Sequence, residues 1–266
     1  MKNRREILEL YDVTMANPNG DPLNDDAPRV DDDGICNVTD VRRKRVIRDT
    51  INTNRLVLKG IVPENEWDKY SVYLVEVDTE KGKATKEDLL AQYNNSYVDL
   101  FERCVDARLF GGVFTIKSDK KNGKGKKEEA TEGSEEASSM SFTGAVQFNF
   151  GRSLHPVKVL TIKGTTVTAS KEGNQQGTIT ERKVIKYGLI GFHGIANENA
   201  SIYRVPDKDG TVREIELTDK DIDVMLKAMW VGIKASNNVI THSKIGHEPR
   251  LLMEIVYHEG VLTHMG

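Results

Sequence analysis

The chain contains few of the features that mark secreted, membrane or metal-bound proteins. It has two cysteines in 266 residues, Cys36 and Cys104, too few and too far apart for a zinc site or a disulfide framework. We therefore expect two buried or half-buried thiols in a protein of the reducing cytoplasm. No run approaches about eighteen apolar residues, and charged and apolar side chains alternate at the start, so neither a membrane span nor a signal peptide is expected.

The overall charge and the common motifs also exclude several classes of function. A formal charge of −3 with 30% charged residues indicates no global preference for a polyanion but allows strong local patches. The sequence contains no G-x-x-x-x-G-K-[ST] motif, which argues against an ordinary nucleotide hydrolase, and its six histidines show no H-E-x-x-H spacing. We predict neither a cofactor nor a bound metal.

Hydrophobic patterning predicts an α+β sheet domain with a split βαβ arrangement. Strands are predicted at "EILELYDVTMA", "YSVYLVEVD", within "GAVQFNFGRSLHPVKVLTIKGTTVTAS", at "VIKYGLIGFHGIAN" and at "PRLLMEIVYHEG". Helices are predicted from Thr39 through "TDVRRKRVIRD", within "KEDLLAQYNNSYVDLFERCVDARLFGG" and at "TDKDIDVMLKAMWVGIKAS". Strand and helix alternate in a way that fits one domain over residues 1–266.

Two polar segments are predicted to be insertions in this domain. Residues 117–141 contain almost no apolar side chains, so we expect a flexible, solvated loop there. A second polar excursion, within residues 165–183, interrupts strand patterning and is expected to form a hairpin or an arm.

The helix that begins at Thr39 is predicted to carry a cationic stripe. At 100° per residue Lys44, Arg45 and Arg48 lie with Val41 within about a third of its circumference. The segment from residue 40 to residue 60 has seven basic and two acidic residues. This local excess suits a phosphate backbone, although a solvated helix face paired with upstream aspartates is an equally open interpretation.

The acidic loop before this helix allows two further interpretations. Its six aspartates are Asp21, Asp25, Asp26, Asp31, Asp32 and Asp33. Carboxylates can bind Mg²⁺ or Ca²⁺, but the spacing is not that of an EF-hand, so a solvated loop stays the alternative. The turn "NPNGDP" can also offer backbone N–H groups to a phosphate.

Taken together, several stretches resemble the Cas7 family, the backbone subunits of type I CRISPR surveillance (Cascade) complexes, most closely the type I-B branch. They are "ELYDVTMANPNGDP", "PRVDDDGICNVTDVRRKRVIRD", "DARLFGG", "GAVQFNFGRSLHPV", "YGLIGFHGIANENA" and "HSKIGHEPRLLMEIVYH", in this order and across nearly the whole chain. The resemblance implies an RRM-like (ferredoxin-like) palm with finger-like insertions and a thumb hairpin. It also implies a non-catalytic subunit for antiviral defence that binds CRISPR RNA as one protomer of a filament.

The resemblance further implies partners and site residues. The partners would be CRISPR RNA, neighbouring copies of the chain, other Cascade subunits and target DNA paired to the guide, with no membrane. The thumb would correspond to residues 165–183. The implied RNA-binding residues are Asn17, Asn19, Thr39, Lys44, Arg45, Arg48, Arg152, Arg182, Lys183, Ser243, Lys244 and Arg250.

Two enzymatic alternatives stay open at this point. Backbone subunits of type III systems resemble this fold and cut RNA with a loop aspartate, so Asp31, Asp32 or Asp33 could serve a metal-dependent ribonuclease. A CRISPR RNA-processing endonuclease would need a general base and usually a glycine-rich loop near its C-terminus, which "PRLLMEIVYHEGVLTHMG" lacks. We predict that the chain is not an enzyme.

Overall fold

The computed structural model of the chain describes residues 1–79, 82–117, 137–165, 179–234 and 245–258. Contacts divide it into two compact units, each assembled from separated stretches of sequence. The sheet unit comprises residues 2–57, 147–196 and 223–266, and the second unit comprises residue 1 with residues 58–146 and 197–222. The single domain expected from the sequence stays a prediction.

The strands and helices follow one another along the described ranges with these bounds. The strands are β1 (Arg5–Ala16), β2 (Gly20–Asp21), β3 (Ala27–Pro28), β4 (Asn37–Val38), β5 (Asp78–Thr79), β6 (Gly82–Lys83), β7 (Gly111–Lys117), β8 (Ala137–Thr143), β9 (Val146–Phe148), β10 (Gly151–Ser153), β11 (Val159–Thr165), β12 (Ile179–Ala196), β13 (Ile202–Pro206), β14 (Val212–Glu216) and β15 (His247–Val256). The helices are α1 (Asp40–Thr53), α2 (Lys86–Ala91), α3 (Tyr97–Arg103), α4 (Val105–Phe110) and α5 (Asp219–Lys234), with 3₁₀ turns at Arg55–Val57, Glu64–Tyr70 and Glu198–Ala200. Within these ranges no helix combines the length and the apolar character that crossing a membrane requires.

The sheet unit is built on an antiparallel sheet in the order β15, β1, β12, β10, β4, and β9 and β11 also pair with β12. Helix α1 lies between β1 and β10 in sequence, and α5 lies between β12 and β15. The two strand–helix–strand segments therefore interleave in one sheet. This confirms the predicted α+β class. The structure adds that the strands of the sheet pair antiparallel.

Helix α1 forms where its sequence pattern predicts it. Thr39 caps its N-terminus, Asp40 occupies the first turn, and Val46, Ile47 and Ile51 are buried. Beneath the helices, a buried cluster includes Tyr11, Val13, Val38, Ile190, Phe192 and Ile233.

Helices α1 and α5 approach each other closely at Gly232. A Cβ atom placed on Gly232 would lie 2.4 Å from Thr50 Oγ1 and 3.1 Å from Val46 Cγ1. Only a residue without a side chain fits at this position without a shift of α1.

Strands β11 and β12 form a hairpin at the predicted polar excursion. The pairing runs from Val159 opposite Ile185 to Thr165 opposite Ile179. Pairing of β12 with β1 ends at Ile185, so the outer part of β12 is paired only with β11 among the described residues. Residues 166–178 lie outside the described ranges.

The second unit corrects two predictions of secondary structure. The strand predicted at "YSVYLVEVD" is wrong, because the chain there leaves a 3₁₀ turn at Tyr70 and forms only an isolated bridge from Ser71 to Cys104 before Asp78. The long helical segment predicted after it forms α2, α3 and α4 instead. Asn94 and Asn95, both with left-handed backbone angles, and Cys104 separate these helices.

The predicted loop at 117–141 is shorter than expected at both ends. Strand β8 pairs with β7 up to Lys117 opposite Ala137, so residues 137–141 belong to a hairpin. Residues 118–136 lie outside the described ranges, and their predicted flexibility stays a prediction.

The second unit contains a buried ion pair between Arg108 and Asp221. Arg108 donates to Asp221 at 2.8 and 3.2 Å and to the carbonyl oxygens of Phe101, Glu102 and Lys69. Both cysteines are buried free thiols, as predicted.

Candidate nucleic-acid interface

The start of α1 is fixed by the asparagine-rich turn that follows β1. Asn19 Oδ1 accepts hydrogen bonds from both the backbone N–H and the hydroxyl of Thr39, each at 2.9 Å. Thr39 Oγ1 in turn accepts from the Arg42 N–H at 3.2 Å. Asn19 and Thr39, predicted as RNA-binding residues, therefore also position the first turn of the helix.

Asn17, the other predicted residue of this turn, is buried. Its side-chain amide donates to the carbonyl oxygen of Asp26 at 2.5 Å. Asp25 and Asp26 have left-handed backbone angles, with φ of 48° and 53°. The Asn17 amide thus stabilises a tight turn between β2 and β3.

The predicted cationic stripe lies on α1, but its members differ in exposure. Lys44 has a side chain that is only 13% exposed; it pairs with Asp40 at 3.1 Å and donates to Gln147 at 3.4 Å. Arg45 is 53% exposed and pairs with Asp49 at 3.4 Å. Arg48 is half-buried. Carboxylates on the same helix therefore neutralise part of the positive charge of the stripe.

Arg43, on the same helix, is a core residue. Its guanidinium donates to both carboxylate oxygens of Glu9 and to the carbonyl oxygen of Met229 at 2.9 Å. Burial raises the pKa of Glu9, and Arg43 opposes this shift. The pair connects α1 to β1 and α5 inside the sheet unit.

The predicted cations on the strands also have acidic neighbours. Arg152 on β10 lies 3.3 Å from Asp31, and Lys183 on β12 lies 3.5 Å from Asp25. Arg250 lies at the bulge of β15 opposite β1 and donates to Asp12 at 2.7 Å. That hydrogen bond is the main cause of the raised pKa of Arg250.

Arg182 is the exception on the strands. It is exposed on the β11–β12 hairpin opposite Ile162, and it makes no hydrogen bond or ion pair with a described residue.

The structure brings some of these residues together and separates others. Asn19 and Thr39 meet at the start of α1, and Arg152 lies beside Asn37 of β4, which leads into that helix. Arg250 lies across the sheet, separated from β10 by β1 and β12. Ser243 and Lys244 lie outside the described residues.

Carboxylates of the acidic loop form hydrogen bonds and ion pairs with nearby residues of the chain. Asp31 accepts from the Ile35 N–H at 2.8 Å and from the Asn37 amide at 3.4 Å. The Ile35 hydrogen bond is the largest cause of the lowered pKa of Asp31. Asp21 pairs with Arg29 at 3.3 Å. In the described part of the chain, no three carboxylate, histidine or cysteine side chains converge as a metal ion would require.

Sequence reasoning missed Arg42 as a candidate site residue. Arg42 precedes buried Val46 by one helical turn, so its side chain points toward the packed side of α1 rather than along the predicted stripe. The four-residue spacing between Arg42 and the apolar Val46 could have predicted that Arg42 lies on the packed side of the helix.

Comparison with known proteins identifies the family. Residues 3–263 match the family described as "CRISPR-associated protein Cas7". This chain belongs to the Cas7 family. A Cas7 relative from Haloferax volcanii, also described as a CRISPR-associated protein, is 29% identical over 265 residues, which are 97% of this chain and 72% of the relative. The family expected from the sequence is confirmed, and assignment to the type I-B branch stays a prediction.

Two solved chains from CRISPR RNA-guided surveillance complexes are also similar to this Cas7 family member. One, from a complex described as pre-nicking, is 15% identical with a TM-score of 0.44, covering 94% of this chain and 77% of the other. The second is 14% identical with a TM-score of 0.41, covering 94% of this chain and 67% of the other.

Proposed function

We propose that this chain is a non-catalytic backbone subunit that binds CRISPR RNA and assembles head to tail along it in a type I surveillance complex. The family match over residues 3–263 carries the proposal. The cationic helix α1, fixed at its start by Asn19 and Thr39, supports it as the surface that contacts RNA phosphates.

The fold supports the finer parts of this proposal. The interleaved order β15, β1, β12, β10 is the one expected for an RRM-like palm, with α1 and α5 as its helices. The β11–β12 hairpin continues past the pairing with β1 and is proposed as the thumb that carries Arg182 and Lys183. The further partners would be other Cascade subunits and target DNA paired to the guide.

Head-to-tail assembly follows from the size of one palm relative to a guide RNA. One sheet unit covers only a short stretch of RNA, so a guide must be covered by several copies. A heterologous contact that adds a rise at each step does not close into a ring, and its growth stops where the RNA stops.

Native mass spectrometry on guide RNAs of increasing length tests this function. Copy number should rise in steps with RNA length, and protein purified from cells that transcribe a CRISPR array should carry RNA of uniform length with repeat ends. A single copy on every guide would contradict filament assembly. RNA or DNA cleavage in Mg²⁺ or Mn²⁺ that disappears when Asp31, Asp32 and Asp33 are changed to alanine would instead support the ribonuclease alternative.

A further inference from the structure

A small recess lies between the N-terminal part of α1 and the sheet. Its volume is about 20 Å³, and its lining includes Tyr11, Pro18, Val38, Arg42, Gly232 and His247. This volume holds one water-sized group. The recess can therefore take one or two oxygen atoms of a ligand but not a base or a sugar.

Arg42 has no carboxylate within ion-pair distance among the described residues, and it is half-buried, whereas Arg182, which also lacks such a partner, is exposed. Lys44, Arg45, Arg152 and Lys183 each lie within 3.5 Å of an aspartate oxygen. The half-buried Arg42 guanidinium makes no hydrogen bond or ion pair with any described residue. Burial lowers the pKa of Arg42, which reflects the cost of holding an unpaired charge at a partly dehydrated site.

Tyr11 brings a second unused donor to the recess. Its side chain is 5% exposed, stacked on Phe192 at 6.3 Å and tilted against His247 at 5.8 Å between ring centroids. Within the described part of the chain, the Tyr11 hydroxyl makes no hydrogen bond. Tyr11 is one of the lining residues, so this hydroxyl can donate to a group in the recess.

These donors define the chemistry of the ligand. A guanidinium offers several N–H groups in a fork that matches phosphate oxygens, and the hydroxyl adds another donor. Arg42 lies in the first turn of a 14-residue helix, whose dipole also favours negative charge at that end. A metal ion is disfavoured by the same positive potential.

We infer that Arg42 and Tyr11 form a recessed site that binds the oxygens of one phosphate group, and that in the assembled protein this group belongs to the RNA backbone. The assignment to RNA rests on the proposed function, whereas binding of a phosphate group does not. The cations paired with aspartates, Lys44, Arg45, Arg152 and Lys183, would then hold other phosphates more loosely, because each must exchange an aspartate for RNA.

Two substitutions test the site in the full chain. Arg42→Gln removes the charge, and Tyr11→Phe removes only the hydroxyl while preserving the ring packing. Arg204→Gln is the matched control, because Arg204 is an exposed arginine of the second unit that pairs with Glu214. RNA affinity would be measured on single-stranded RNA over a range of salt concentrations. Melting temperature would be measured with and without inorganic phosphate.

Arg42→Gln should weaken RNA binding by about tenfold or more and reduce the slope of log affinity against log salt by about one. Tyr11→Phe should weaken binding by about threefold to tenfold with the slope retained. Without ligand, Arg42→Gln should melt at the wild-type temperature or higher, because an unpaired half-buried charge is removed. Arg204→Gln should behave like the wild type in all three measurements.

The outcomes separate this site from the proposed function. If wild-type protein binds RNA, both variants bind it equally well with the wild-type slope, and neither variant changes the effect of inorganic phosphate on the melting temperature, the site is refuted while the function stands. A lower melting temperature for Arg42→Gln with unchanged RNA binding would make Arg42 a structural residue.

The phosphate measurement distinguishes the source of the ligand. If inorganic phosphate raises the wild-type melting temperature, both variants lose this shift and RNA binding is absent, the phosphate site is supported and the RNA function fails. If both variants lose the phosphate shift but bind RNA normally, the recess binds a free anion and the assignment to RNA is overturned. Weakened RNA binding in both variants without any phosphate shift supports RNA as the source.

Discussion

Among single residues, Arg43 and Glu9 offer the largest expected effect on stability. Arg43→Met leaves the Glu9 carboxylate buried without its partner, so we expect a loss of about 3–5 kcal/mol in the free energy of unfolding. Changing Glu9→Leu together with Arg43→Met removes both charges and should recover most of this loss. Urea denaturation measures both variants.

The control for this pair is the surface arginine on the same helix. Arg45→Met breaks an exposed ion pair with Asp49 and should cost no more than about 1 kcal/mol. Equal losses for Arg43→Met and Arg45→Met would contradict the role of Arg43 in the core.

Asp31 should make stability depend on pH in the acidic range. Its folded-state pKa is lowered, mainly by the Ile35 N–H, so the charged form stabilises the folded state. This contribution is present above the unfolded-state pKa and is lost as pH falls through the folded-state pKa. Asp31→Asn should therefore be less stable than wild type at neutral pH, and the difference should disappear in acid.

Asp32→Asn provides the matched control for this pH dependence. Asp32 is the exposed neighbour of Asp31 and makes no side-chain hydrogen bond with a described residue. Its substitution should leave stability nearly unchanged at both pH values. A neutral-pH difference for Asp31→Asn that persists in acid would show that its cause is not the carboxylate charge.

Residue roles within "TDVRRKRVIRD" could be predicted only in part. The cap at Thr39 and the burial of Val46 and Ile47 follow from helical spacing, and the structure confirms them. The burial of Arg43 could not be predicted, because its partner Glu9 lies on another element and the rotation of α1 over the sheet is set by tertiary packing. Arg43 is therefore buried against Glu9, whereas the adjacent Arg42 is only half-buried.

At the scale of elements, the contact between α1 and α5 depends on Gly232. Gly232→Ala would gain about 1 kcal/mol of intrinsic helix propensity but would place Cβ against Thr50 Oγ1. Overpacking costs about 1–3 kcal/mol, so we expect a net loss of up to about 2 kcal/mol in the free energy of unfolding. Thermal or urea denaturation would measure it.

Substitution of Thr50 tests whether the clash with its hydroxyl causes the loss of stability in Gly232→Ala. The Thr50 hydroxyl donates to the Val46 carbonyl oxygen of its own helix, so Thr50→Ala creates room without breaking a hydrogen bond to another element. In the Thr50→Ala background, Gly232→Ala should be close to neutral. The same loss in both backgrounds would exclude the clash with the Thr50 hydroxyl as its cause.

Long periodic elements were predictable and short ones were not. Strands β1 and β15 and helices α1 and α5 formed where their patterns predicted, and β1, α1 and α5 each carry a row of buried residues. "YSVYLVEVD" has the residues of a strand, and Tyr70, Val72 and Tyr73 are indeed buried. Among the residues that the structure describes, however, no neighbouring strand extends the bridge at Ser71, and sequence pattern alone cannot show whether a partner strand is available.

At the scale of the whole molecule, the proposed binding of RNA by a chain of net charge −3 requires a local cationic surface. We predict that Lys44→Glu with Arg48→Glu weakens binding to all RNA sequences alike and reduces the salt slope by about two, because two phosphate contacts are lost. Filter binding or fluorescence anisotropy across salt concentrations would measure this.

The control for this prediction carries the same change in charge elsewhere. Lys220→Glu with Arg204→Glu changes two exposed cations of the second unit, outside the proposed RNA contacts. If both double variants reduce affinity and slope equally, net charge rather than the α1 surface governs binding.

The position of β1 has a consequence for how the chain folds during synthesis. Its two neighbours in the sheet, β12 and β15, are synthesised long after it, because both lie far downstream in the sequence. Until then both hydrogen-bonding edges of β1 are unpaired, and such edges invite pairing with other chains. Pairings this distant in sequence also close slowly. We therefore expect the yield of folded protein to depend on chaperones that shield the nascent strand.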